Sequence, residues 1–225
     1  MEKVILLAGG KSIREEWLNN GLFDNIEGNQ IWALNFAYKT MPYVPNRIIF
    51  TDPGFWHNYY NILGQLQAKG TEIATRTGAV NFTKPTVPEK ERQIAEKILY
   101  YPATRKKQEK LALYIGGHGL VGSLALSMAL YEKYDEIYLL GYDFGTPEFE
   151  DKYTHYYQNF ITTTSSGVGK PRIYYKSNGK LNQFVGDFEY YAEHKNKIYN
   201  VSLKSNIQTF PKISYEEFYK KLTVN

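Results

Sequence analysis

Two side chains in this sequence have acid–base chemistry and a setting in which to use it. His155 stands in Tyr153-Thr154-His155-Tyr156-Tyr157, and a free imidazole titrates near neutrality, so it can act as a general acid or base. An aromatic cluster also holds a histidine by packing alone. Asp143 lies twelve positions earlier (155 − 143 = 12), after the apolar run Ile137-Tyr138-Leu139-Leu140 and Gly141. A carboxylate there can accept from a ribose or substrate hydroxyl, hold a metal, act as a base, or simply face solvent. Of the other histidines, His118 reads as a turn residue beside a ligand, His57 as part of a helix start and His194 as a surface helix end.

Glycine clusters supply the second kind of chemistry. Gly9-Gly10-Lys11-Ser12 separates an apolar strand from Ile13, Trp17 and Leu18 at helical spacing. Such a turn presents backbone N–H groups to a phosphate, and every strand-to-helix crossover also needs some tight turn. Ser12 is a natural N-cap, with Glu15 and Glu16 near the favourable end of the helix dipole. Gly117-His118-Gly119-Leu120-Val121-Gly122, followed by Ser123, matches the dinucleotide pattern Gly-x-Gly-x-x-Gly, with Asp143 near the ribose-acid position. Its strand is not the first of the sheet and an irregular stretch comes after it, so the pattern predicts close approach of a phosphate or ribose rather than a nicotinamide. Asn35 and Asp52 end two further apolar runs, where they contact ligand or cap the next segment. The sequence contains no paired-histidine metal spacing, serine elbow or Walker sequence.

These residues need elements to position them. Leu113 to Gly145 predicts strand, helix, strand, with the helix from about Leu120 to Tyr131 and the second strand at Glu136 to Leu140. Further strands are expected at Lys3–Ala8, Gln30–Asn35, Asn46–Asp52, Gly70–Ala74 and Lys197–Val201. Helices are expected at Phe55–Lys69, with Tyr59, Ile62, Leu63 and Leu66 on one side, and at Glu89–Leu99 and near Phe184–Glu193. A last helix is capped by Ser214 with Glu217 in the capping-box position. Tyr100 to Glu109 reads as a surface excursion, and the basic run Arg105 to Lys110 as a solvated turn. The fold class is therefore α/β, a Rossmann-like and mostly parallel sheet with helices on both faces. Residues 146–185, poor in periodic apolar positions, form a lid or substrate lobe of the single domain 1–225. Ligands of such sheets bind outside the carboxyl ends of the strands.

Composition narrows the class further. The 225 residues are 43% hydrophobic and 16% aromatic, with 21 tyrosines, so a full core forms and many rings line surfaces or clefts. A net charge of +4 suits an anionic small molecule and falls short of a nucleic-acid-binding balance. With no cysteine, disulfides, thiolate zinc sites and cysteine nucleophiles are excluded. The first ten residues read as a strand entering a turn rather than a signal peptide, and no run approaches the roughly 18 apolar residues of a membrane span. A cytoplasmic protein is expected, with homo-oligomerisation left open.

Taken in order, Val4 to Ile13, the strand ending at Asn35, Phe50-Thr51-Asp52-Pro53-Gly54-Phe55-Trp56-His57-Asn58-Tyr59-Tyr60, Gly119 to Phe144, and Lys197 to Ser202 resemble the bacterial sialyltransferases of the Campylobacter type. They also resemble the wider group containing the archaeal 6-hydroxymethylpterin diphosphokinase. The resemblance spans most of the chain outside residues 75–110 and 146–185. It implies that Gly9, Gly10, Ser12, Asn35 and Asp52 contact a nucleotide, with Gly117, His118, Gly119 and Ser123 at a helix amino terminus nearby. The family's asparagines are replaced here by Gly9 and Asp52, and its catalytic histidine has no counterpart in Tyr175-Lys176-Ser177-Asn178-Gly179-Lys180. His155 would then supply the base from another loop.

The implied activity is nucleotide-dependent transfer, foremost glycosyl transfer from a nucleotide sugar to an unidentified acceptor. A magnesium-dependent pyrophosphoryl transfer, with Asp52 and Asp143 on the metal, is the second expectation. A nucleotide-binding protein without catalysis is the third.

Overall fold

The computed structural model describes residues 1–80, 87–104, 113–114, 116, 119–144 and 182–223. The chain begins with β1 (Lys3–Leu7), α1 (Ile13–Asn19), α2 (Leu22–Ile26) and β2 (Ile31–Leu34). A 3-10 turn at Ala37–Thr40 leads to β3 (Arg47–Phe50), α3 (Pro53–Gln67), β4 (Glu72–Arg76), α4 (Glu89–Ala95) and β5 (Leu99–Tyr101). Next come β6 (Ala103–Thr104), β7 (Leu113–Tyr114), α5 (Val121–Tyr131) and β8 (Glu136–Leu140). The described chain closes with α6 (Asn182–Val185), a 3-10 helix at Gly186–His194, β9 (Ile198–Asn200) and α7 (Tyr215–Thr223).

Seven strands form one sheet in the order β5-β4-β3-β2-β1-β8-β9, and every pairing is parallel. The strands are short continuous apolar runs because both faces are covered. Ile5, Leu7, Ala33, Ile48, Phe50 and Tyr138 point to the face covered by α1, α2, α3 and α7. Val4, Leu6, Trp32, Ile49, Ile137 and Leu139 point to the opposite face, against α5 and the 3-10 helix that carries Phe188 and Tyr191. This period-two division gives each face of the sheet its own layer of helix. The α/β class, the parallel sheet and the helix on each face agree with expectation.

Several local expectations are corrected. The strand before α5 is only Leu113–Tyr114 and pairs with β6 in a separate two-stranded sheet, so β7-α5-β8 is not a crossover within one sheet. Leu99–Tyr101, read as helix end and surface excursion, is the edge strand β5, paired with Ala74–Arg76 of β4. Ile62 faces outward at 39% exposure, whereas α3 buries Phe55, Trp56 and Leu63. The helix near Phe184–Glu193 is mostly 3-10. The 146–185 lid, apart from its last few residues, and His155, Gly117 and His118 lie outside the described residues. Among the described residues no helix is long and apolar enough to cross a membrane.

Candidate functional site

The chain runs from β1 outward to β5, then returns to place β8 on the other side of β1. That reversal makes β1 and β8 the topological switch point of the sheet, and the crevice outside the carboxyl ends of such strands is the usual ligand position. The segments leaving these strands touch. Ala8 N donates to Leu140 O at 2.8 Å and Gly10 N to Gly141 O at 3.0 Å. Asp143 closes the contact: its Oδ2 accepts from Ser12 N at 2.8 Å and its Oδ1 from Ser12 Oγ at 2.5 Å.

Gly10 has a specific reason to be glycine here. A Cβ would strike Gly141 O and lie 2.6 Å from Asp143 Oδ2. Gly9 shares this turn and is half-buried. Asp143 is 6% exposed, and burial raises its pKa above the ordinary value, while the bonds from Ser12 and Lys11 N–H pull the other way. Ser202, at the end of β9, also lies beside the carboxylate, outside regular hydrogen-bond geometry. Ser12 therefore does not cap α1: its own backbone is helical and its hydroxyl is turned to Asp143. Asp143 braces the first glycine turn, with both oxygens engaged.

At the end of β2 the arrangement differs. Asn35 holds φ +50°, a left-handed conformation that asparagine tolerates better than most residues, fixed by its N–H to Ile49 O at 2.9 Å. Its Oδ1 is buried and has no hydrogen-bond partner among the described residues. Such an atom is costly unless something donates to it. At the end of β3, Asp52 is exposed and caps α3, accepting from Gly54 N at 2.8 Å. Its structural role is the capping one.

The amino terminus of α5 reaches the same edge. Thr51 Oγ1, at the end of β3, approaches Gly119 O at 3.4 Å, and Tyr142, past β8, donates to Gly122 O at 3.3 Å. Gly119 takes φ +70°, and a Cβ on Gly122 would lie 2.9 Å from the Tyr142 ring. Leu120 precedes α5 without a side-chain cap, and the first helical bond there runs from Leu124 N to Leu120 O at 3.1 Å. The leading N–H groups of a helix have no intrahelical partner, so the start of α5 suits an anionic or polar group. Ser123, in this first turn, is fully buried, and its Oγ has no hydrogen-bond partner among the described residues.

Sequence reasoning missed two contributors. Asp187, 7% exposed in the 3-10 helix, packs its carboxylate where a Cβ on Gly116 (φ +74°) would have to sit. An isolated acidic residue after Gly186 gives no local signal of that contact. The loop after β9 clips the end of β8: Ser205 Oγ donates to Tyr142 O at 2.6 Å, Asn206 N to Asp143 O at 2.9 Å and Asn206 Nδ2 to Phe144 O at 2.9 Å.

Comparison with solved structures finds the sialyltransferase CstII from Campylobacter jejuni, in complex with the substrate analogue CMP-3FNeuAc. The match has 13% identity and a TM-score of 0.48, covering 95% of this chain and 86% of that one. A structure of CST-II with a trisaccharide acceptor and CMP matches at 14% identity and a TM-score of 0.47, covering 93% and 85%. The likeness is one of chain path only. No protein-family model and no curated protein matches the sequence.

The edge therefore offers an acceptor at Asn35 with no partner among the described residues and the amino terminus of α5, with Asp143 packed against the first glycine turn and Asp187 against Gly116. A polar ligand with both hydroxyl or amino donors and an anionic group complements that set. Among the described residues no group of three acidic or histidine side chains could hold a metal. Of the pair expected for magnesium, Asp143 accepts from Ser12 through both oxygens and Asp52 accepts from Gly54 through Oδ1.

Proposed function

We propose that this crevice binds a nucleotide and that the chain is a nucleotide-dependent transferase using a nucleotide sugar. The observation that carries the reading is the buried, unpartnered Oδ1 of Asn35 on a strained backbone at a strand end beside the crevice. Such strain persists where function uses it. Asn35 accepts from the base or ribose, and the free N–H groups at the start of α5 receive the phosphate. The motif order resembling the bacterial sialyltransferases favours a cytidine nucleotide and a glycosyl group. Glycosyl transfer requires a base for the acceptor hydroxyl; His155 is assigned that role and the 146–185 segment that of lid. No specific observation favours the pyrophosphoryl alternative.

A thermal-shift and calorimetric screen of nucleotides and nucleotide sugars, with and without magnesium, tests this directly. At a hundred times the dissociation constant, a cognate ligand stabilises the native state by about 2.7 kcal/mol. Asn35→Gly removes the acceptor while relieving the left-handed strain. It should lose affinity about tenfold, equivalent to about 1.4 kcal/mol, without losing stability. No shift with any nucleotide, or unchanged affinity in a folded Asn35→Gly variant, overturns the reading.

A further inference from the structure

The 3-10 helix Gly186–His194 grips the chain before, at and after the turn that leads into α5. Before the turn, the Tyr190 ring packs on the Tyr114 ring of β7 with centroids 4.4 Å apart, and Tyr191 Oη donates to Tyr114 O at 2.9 Å. After it, the same hydroxyl is shared with Ser123 O at 3.0 Å, in the first turn of α5, and lies 2.8 Å from Ser127 Oγ one turn further on. Tyr191 is 1% exposed, so these bonds form inside the protein, where losing one leaves a buried polar group unsatisfied.

Asp187 meets the turn itself. Gly116 takes φ +74° and Gly119 takes φ +70°, and Gly119 N donates to Gly116 O at 3.1 Å. A Cβ on Gly116 would overlap Asp187 Oδ2 and lie 2.6 Å from its Cγ, so the carboxylate rests directly on the turn's backbone. A second element reaches the same turn at its far end, where Thr51 Oγ1 approaches Gly119 O at 3.4 Å.

The first glycine turn is built in the same way. There a Cβ on Gly10 would lie 2.6 Å from Asp143 Oδ2 and 2.7 Å from its Cγ. In both turns a glycine leaves no room for a side chain, and the space is taken by a buried aspartate from a later part of the chain. Charge alone disfavours a carboxylate beside a helix amino terminus that receives an anion, because like charges repel. Its place at Gly116 is accounted for by what it does to the backbone, since binding groups hold their geometry only when the residues behind them are locked.

We propose that Asp187 is a positioning residue: by fixing the turn that ends at Gly119, it sets the direction of the leading N–H groups of α5 and so the affinity for the ligand's phosphate. This deepens the transferase reading and rests on it for the identity of the ligand. Asp187 acts through the turn and not by contact with the ligand.

The test titrates the full chain with cytidine monophosphate and with cytidine, which differ only in the phosphate. Asp187→Ala should weaken the nucleotide about tenfold and the nucleoside by less than about twofold. Asp187→Asn keeps the shape and one acceptor, and should stay within about threefold of the wild type for both. A general loosening of the protein would lower both affinities together, so their ratio separates positioning from stability. Hydrogen exchange reads the turn without any ligand: the Gly119 amide, bonded to Gly116 O, should exchange about tenfold faster in Asp187→Ala while those of Val4–Leu7 in β1 do not change. Equal loss of both ligands, or unchanged exchange at Gly119, overturns the inference. If Asp187→Ala does not fold, Asp187→Ser replaces it with the same criteria. Nucleotide binding that Asp187→Ala leaves unchanged refutes the inference and leaves the nucleotide reading intact. Absence of nucleotide binding in the wild type refutes that reading, and exchange at Gly119 then decides the positioning role by itself.

Discussion

Protonation of Asp143 is the single-residue event with the widest consequence, because one carboxylate ties the turn after β1 to the end of β8. Burial is the largest influence on this group and raises its pKa, so the folded state holds the proton more tightly than the unfolded chain. For an acid shifted upward, stability falls as pH rises from the unfolded value near 3.8 through the folded one. Asp143→Asn lacks this titration. Urea midpoints of the two proteins between pH 3.5 and 7 should therefore show the wild type losing ground to the variant as pH rises. A wild type that gains on Asp143→Asn over that range would show that the Ser12 bonds outweigh burial. Gly10→Ala tests the same brace sterically: its Cβ would meet backbone and carboxylate, and a loss of about 1–3 kcal/mol is expected in thermal or urea unfolding. Sequence indicates that Asp143 and the glycines belong together at one sheet edge. It does not indicate that Ser12 abandons its cap, because the competing acceptor is 131 positions away. The empty Oδ1 of Asn35 is likewise a property of three-dimensional neighbours.

Among the elements, those with strong local signals are the ones legible in sequence. The capping box of α7 forms as its residues dictate, with Ser214 N donating to Glu217 Oε2 at 2.9 Å and Glu217 N to Ser214 Oγ at 3.2 Å. Ser214→Ala should cost about 1 kcal/mol in unfolding free energy, read as a lowered urea midpoint at constant m-value. The start of α5 was also legible, since glycines precede a run of good helix formers. Gly119→Val places a branched side chain at φ +70°, costing about 1–2 kcal/mol and disturbing the donors assigned to phosphate. If that variant folds and binds the same nucleotide unchanged, α5 is not the phosphate site. β5 was missed for a physical reason. Leu99-Tyr100-Tyr101 follows α4 after a turn of three residues, and an edge strand of three residues gives no period to detect; its pairing with β4 defines it. The two-residue β7 is defined in the same way, by β6.

At the scale of the molecule, the amino edge of the sheet is held by a charged cluster opposite the candidate site. Arg47, 5% exposed at the start of β3, bonds Glu72 of β4 at 2.5 Å and Glu132 beyond α5 at 2.6 Å. Its guanidinium also lies 4.1 Å from the Trp32 ring centroid, and Tyr101 of β5 donates to the same Glu132 at 2.6 Å. Removing one partner of a buried pair costs about 3–5 kcal/mol, less where the remaining carboxylate is half exposed, as Glu72 is. Arg47→Met should therefore lower stability by about 2–3 kcal/mol in urea unfolding, with nucleotide affinity unchanged because the site lies at the other end of the strands.

The central position of β1 also affects how the molecule is made. Its neighbour β2 comes soon after it, Ile5 facing Ile31, but its other neighbour waits for Ile137, which pairs with Val4 across 133 positions (137 − 4 = 133). At ribosomal speeds of about 5–20 residues per second, that interval is on the order of ten seconds. Throughout it, one edge of the apolar strand Val4–Leu7 stays open, and an open apolar edge is a template for another chain. Biosynthesis rather than the finished fold is then the stage at which this protein is most exposed to aggregation, and a chain stopped at residue 135 should precipitate or be held by chaperones while the full chain does not.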